Sequence, residues 1–236
     1  MTFLREVAKM TPYERANIGL TFLLATITLG GVLIGWRALA TYNDANRVMM
    51  RAQLQSVDRE ILGNIYQSGH LHSIWLTKKD GEGVLDYAKR RLKIIYDPMD
   101  MTQATVFDNF TTVDLMEELL YQESSYKQPK MLNVRSAYSI CESMLYLLSD
   151  VHFANTSSLV DDEELETYFA YLNDIGTHPL FLHALWYAHR GGYLRPEFAK
   201  ELRHRYSNND ELREAVSVMY PDILSRKWLR RLGENH

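Results

Sequence analysis

ANIGLTFLLATITLGGVLIGW, residues 16–36, holds no charged side chain between Arg15 and Arg37, and no later stretch of the chain repeats it. At a helical rise of about 1.5 Å per residue it covers roughly 31 Å, the thickness of a bilayer's hydrocarbon core. A secretory signal would be shorter and would end at small residues, whereas this run ends Ile34-Gly35-Trp36-Arg37. Trp36 suits the headgroup layer, and Arg37 can extend its guanidinium outward. Residues 16–37 are therefore expected to form one transmembrane helix, behind an amphipathic flank at 1–15 that carries Phe3, Leu4, Val7 and Met10.

Within that span, Gly31 and Gly35 form a small-xxx-small pair, with Thr28 on roughly the same face. Such pairs let two helix backbones approach closely in lipid. These three positions are the expected anchor contact.

No proline interrupts residues 16–68, so the anchor is expected to continue into a juxtamembrane stalk helix over 38–68. Tyr42, Ala45, Met49 and Ala52 form one stripe along it, which Val57, Ile61 and Ile65 continue with a small shift. A stripe of this kind buries against another helix, and Tyr42, Met49, Val57 and Ile61 are the expected stalk interaction residues.

The remaining chain, 69–236, reads as a helical bundle. Apolar residues recur at helical spacing over 84–95 (Leu85, Ala88, Leu92, Ile95) and 134–152 (Val134, Tyr138, Cys141, Leu145, Leu148, His152). Thr111 or Thr112 caps a short helix bearing Leu115, Met116, Leu119 and Leu120, and the polar stretch 122–133 with Pro129 reads as an internal linker. Asp161 and Glu164 occupy capping-box positions for a helix to Ile175. Pro179 and Pro196 open two more, Asn208 with Glu211 caps another, and Asp222 to Leu232 reads as a final basic helix. No run alternates with the period of a strand, so the expected fold is all-α.

Composition narrows the function. The chain has 236 residues, 26 Lys and Arg against 30 Asp and Glu, and a net charge of −4. Beyond position 37 the balance is 22 to 28, about −6, which argues against general nucleic-acid binding, since that needs a basic face. Cys141 is the single cysteine, so no internal disulfide forms. Arg5, Lys9 and Arg15 before the span match Arg37, Arg47 and Arg51 after it, so the positive-inside rule gives no orientation. Two glycosylation-type triplets, at Asn109 and Asn155, matter only in a eukaryotic secretory lumen.

Chemistry-bearing clusters are sparse. His70 and His72 would need a third ligand to hold a metal, and His183 and His189 stand six apart, off one helical face. The acidic run Asp161–Glu164 fits a helix start, where carboxylates complement the dipole, and it lacks the glycine and ligand spacing of a calcium loop. Cys141 lies on an apolar stripe, unlike a reactive thiol. No nucleophile elbow, phosphate loop or dinucleotide fingerprint occurs, so no cofactor, metal or catalytic residue is assigned. Arg226, Lys227, Trp228, Arg230 and Arg231 make the last helix basic and amphipathic, suited to docking on the bundle or lying on anionic lipid.

The span up to Trp36, then Arg47-Val48-Met49-Met50-Arg51-Ala52-Gln53-Leu54, Asp58-Arg59-Glu60-Ile61 and, loosely, Arg190-Gly191-Gly192-Tyr193-Leu194, resembles the order of parts in bacterial single-pass membrane-anchored helical proteins of unknown function. That resemblance implies a cytoplasm-facing domain and no activity. The expected function is a non-enzymatic interaction or accessory protein at a bacterial inner membrane, its partners being the lipid bilayer and a protein or second copy. A ligand-sensing module is the alternative. A membrane-bound hydrolase, drawing together His72, His152 and His183, comes third.

Overall fold

A computed structural model describes the backbone of residues 12–96, 116, 120 and 129–224. Side chains are described from Thr28 onward within those ranges, apart from residues 69, 70, 129–131 and 224. Among the described residues the chain is all-helical, without strands. It divides into two compact units, Met1–Met49 and Met50–His236.

The described part of the first unit is helical throughout, as the start of α1 (Pro12–Gln67). Its described apolar side chains are exposed around the whole helix, among them Leu29, Val32, Leu33, Ile34, Trp36 and Leu39. Among the described residues, no helix is long and apolar enough to cross a membrane. The side chains of 16–27, most of the expected span, lie outside the described residues, as do the flank at 1–11 and the basic segment 225–236.

The second unit begins inside α1, not at residue 69. Leu54, Ile61 and Ile65 are core residues, and Met50 packs against the core. The buried stripe is thus Met50-Leu54-Ile61-Ile65: Ile61 and Ile65 are buried as expected, while Met50 and Leu54 replace Met49 and Val57, which are exposed. A 3-10 helix (Gly69–Trp75) follows, with Leu71 and Ile74 fully in the core. Next come α2 (Val84–Tyr96) and α3 (Pro129–Thr156).

Pro129 opens α3 instead of marking a linker. It lacks the N–H that a first-turn residue cannot bond anyway, and its φ is already helical. At 28 residues α3 is about 42 Å long, and it forms the centre of the unit, packing on α2 and on the later helices α4, α6 and α7. Val134, Ala137, Cys141, Met144, Leu145, Leu148 and Val151 are all buried along it.

The expected single helix over 161–175 is two, α4 (Asp162–Phe169) and α5 (Tyr171–Ile175). Asp161 caps α4 by accepting the Glu164 N–H at 2.9 Å. Arg51 reaches across from α1 to Glu164 at 2.8 Å and to Asp161 at 3.0 Å. α6 (Pro179–Arg190) and α7 (Pro196–Asn208) start at their prolines. The cap of α8 (Asp210–Met219) is Asn209, one residue after the expected Asn208, and it accepts from the Glu211 and Leu212 N–H groups. A 3-10 turn, Pro221–Leu224, ends the described chain. Met116 and Leu120 are helical and buried; the rest of the helix expected there lies outside the described residues.

Among the described residues Arg91 is the largest fully buried side chain. Its guanidinium donates from Nε to Ser73 O at 3.2 Å, from NH1 to Thr177 Oγ1 at 3.1 Å, and from NH2 to Asp174 O at 2.9 Å and to Ile74 O. Its Cζ lies 4.8 Å from the Tyr87 ring centre. Among the described residues no carboxylate comes within ion-pair distance of it; backbone carbonyls, a hydroxyl and a ring face hold the guanidinium, and the Asp174 carboxylate favours the cation from farther away. Burial pushes its pKa down to about 10, which leaves it a cation at neutral pH.

Candidate functional site

The carbonyls that Arg91 clamps lie directly behind an aromatic groove of about 510 Å3, lined by Leu62, Tyr66, His72, Trp75, Tyr171 and Asp174. Three segments build it: the end of α1, the 3-10 helix, and α5. Ile74 precedes Trp75, and Asp174 is itself a lining residue, so one guanidinium fixes two of the walls. The Trp75 and Tyr171 rings stand 5.9 Å apart and tilted by 51°. Tyr66 meets His72 edge to face at 6.2 Å and is 68% exposed.

Tyr171 is fixed at both ends. Its hydroxyl donates to Asp58 Oδ1 on α1 at 3.1 Å, and its ring meets Tyr168 edge to face at 6.3 Å. Burial, with the Asp58 carboxylate beside it, pushes the Tyr171 hydroxyl up to about 12. Burial also raises the Asp58 carboxyl, opposed by the Tyr171 hydrogen bond and by Arg59. A second cleft, lined by Gln55, Asp161, Glu163 and Glu164 among others, adjoins Asp58 and Tyr171. Asp174 is the one carboxylate among its six lining residues and none of the six is Lys or Arg, while the Arg91 cation holds the backbone of two walls from behind.

The expected site residues fall elsewhere. Thr28, Gly31 and Gly35 are exposed, and a Cβ added at either glycine would meet nothing within 4 Å. Tyr42, Met49 and Val57 are exposed, while Ile61 is a core residue and so closed to a second chain. Arg226, Lys227, Trp228, Arg230 and Arg231 lie outside the described residues.

The histidines go to separate tasks. His72 lines the groove, and His152 packs on Phe198 at 5.8 Å. His183 is buried, with Nδ1 3.0 Å from the Tyr220 hydroxyl and its ring stacked on Trp186. His178 caps α6 by accepting the Leu180 N–H on Nδ1. Among the described residues no three His, Cys, Asp or Glu side chains converge as a metal would require. Cys141 is fully buried, and burial pushes its thiol up to about 12 against the opposing pull of Arg91. Asn155 spends its side-chain amide on Val160 O at 3.3 Å and Asp162 Oδ1 at 2.9 Å, in the turn that ends α3.

The groove was not legible in the sequence, because its residues come from three segments and share no spacing. The nearest signal is the concentration of Tyr66, Trp75 and Tyr171 beside helix ends. No family model, curated protein or solved structure matches this chain.

Proposed function

We propose that this chain is a single-pass, membrane-anchored interaction protein without catalytic activity of its own. Residues 16–37 cross the bilayer, the expected stalk over 38–68 leads on from them and joins the helical unit from Met50 onward, and that unit binds a protein partner or a second copy at the membrane surface. We read that unit as facing the cytoplasm at a bacterial inner membrane, a reading supported by the resemblance in order of parts alone. The observation that carries this reading is the exposure of apolar side chains around the whole described part of the first unit, from Leu29 at 62% to Trp36 at 74%. Water penalises such a surface by about 25 cal/mol per Å2, and a contiguous apolar surface on a protein marks a membrane or a partner. The uncharged run that continues it back to residue 16 has the length of a bilayer core.

Exposed aromatic residues in the second unit support the partner reading. Tyr146, Phe153, Tyr187 and Tyr193 are exposed on α3, α6 and the turn after α6, and aromatic residues of this kind anchor protein interfaces. Carbonate washing of membranes holding the full-length chain tests the anchor. Retention in the pellet supports it, and release into the supernatant overturns it. The alternative, a tethered sensor, is favoured by one feature: the groove beside Trp75 is of a size for a small ligand.

A further inference from the structure

We infer that the groove lined by Tyr66, Trp75, Tyr171 and Asp174 binds a small quaternary-ammonium cation of the choline type. Aromatic faces carry negative electrostatic potential, and a methylated ammonium spreads its charge over methyl groups that seat against such faces. Here Tyr66, Trp75, Tyr171 and one carboxylate, with Leu62 and His72, line an open groove that has no Lys or Arg among its lining residues. The Tyr171 hydroxyl donates to Asp58, which adds a second negative charge behind that ring. The walls are held before any ligand arrives: Tyr171 by Asp58, and Trp75 and Asp174 by the clamp of Arg91 on Ile74 O and Asp174 O. A site organised in advance loses little freedom on binding.

The same geometry selects against ordinary cations. Sodium and primary ammonium ions keep tight hydration shells and call for several oxygen ligands, whereas a single lining carboxylate among rings offers few. A neutral molecule of the same shape would gain the apolar contact but not the attraction to rings and carboxylate. This inference rests on the ligand-binding alternative above and is independent of the anchor, which carbonate washing tests separately.

The experiment is calorimetric titration of the full-length chain in maltoside micelles with tetramethylammonium, with choline, and with 3,3-dimethyl-1-butanol, the neutral carbon counterpart of choline. Saturable binding of both cations is expected, with much weaker binding of the alcohol. Tyr66→Ala removes an exposed ring and should weaken cation binding roughly three- to thirtyfold. Asp174→Asn should weaken it while leaving the alcohol unaffected. Absence of saturable cation binding, equal binding of the alcohol, or unchanged affinity in both variants overturns the assignment. Nanodiscs with and without phosphatidylcholine then separate the sources of the cation. Competition by the lipid assigns the site to a headgroup, and its absence assigns it to a soluble ion.

Discussion

Replacing Arg91 with leucine should destabilise the second unit by about 3 kcal/mol or more. The estimate follows from the four acceptors around the guanidinium. Ser73 O also accepts the Leu76 N–H at 3.3 Å and so keeps a donor. Ile74 O and Thr177 Oγ1 each lose a charged donor inside the fold, and Asp174 O loses one at its part-buried edge. A buried acceptor left without its donor costs about 1–3 kcal/mol, so the two buried ones, with a smaller share from Asp174 O, give about 3 kcal/mol. Removing the cation relieves its own desolvation, an effect that can make buried ion pairs neutral to replace. That relief is large only when both partners become apolar, and here the carbonyls remain. At about 2–4 °C per kcal/mol for a unit of this size, the melting temperature should fall by roughly 6–12 °C, read by circular dichroism in maltoside. Arg91→Lys should fall between the two, because one ammonium cannot fill a planar fork reaching four acceptors. A leucine variant that melts within about 2 °C of the native chain would refute the clamp.

Acid should weaken the second unit through its buried histidines. Burial lowers the pKa of His183 from 6.5 to about 4 and that of His178 well below 6.5, so the unfolded chain takes up protons that the folded chain refuses. Stability is then full above pH 6.5 and lost as pH falls toward 4, by about 3 kcal/mol for His183; urea midpoints that decline as steeply in His183→Gln would contradict its share. Gly176→Ala should cost about 1–3 kcal/mol, because the new Cβ would lie 2.4 Å from Leu172 O and 2.6 Å from Leu212 Cδ2; an unchanged melting temperature would show that α5 and α8 separate freely. Gly31→Leu with Gly35→Leu should reduce self-association in a membrane dimerisation assay without touching the fold, since nothing lies within 4 Å of either position. An unchanged signal would discard that contact.

Features that act within one turn of helix were legible in the sequence. Pro179 and Pro196 open helices because a fixed φ and a missing N–H suit the first turn and nothing deeper. Asp161 caps α4 because a carboxylate beside the first N–H groups satisfies them wherever the helix packs. The stripe on α1 was displaced because periodicity fixes a face only to within one position. Met49 and Met50 are adjacent, yet Met49 is exposed and Met50 packs on the core. Pro129 misled because the residue that breaks a helix from inside also starts one. Arg91 was invisible for a different reason. A charged residue on an amphipathic helix is assigned to the wet face, and only the carbonyls of Ser73, Ile74 and Asp174, brought in from two other segments, make a dry position tolerable.

The same clamp explains why the groove and the fold need separate probes. Arg91 holds its acceptors on one side of the 3-10 helix and α5, while Trp75 and Asp174 face the groove from those same segments. A variant at Arg91 therefore loosens the walls along with the core, and any lost binding would be uninterpretable by itself. Tyr66 and Asp174 are different. Tyr66 is 68% exposed at the end of α1, and Asp174 hydrogen-bonds Arg91 through its backbone oxygen, which Asp174→Asn retains, losing only the longer-range attraction of its carboxylate for the Arg91 cation. Changes there remove a ring face or a charge and leave all four Arg91 hydrogen bonds in place. If both variants melt like the native chain yet bind cations as it does, the rings and carboxylate are scaffold alone, and the acidic aromatic lining must be explained by packing.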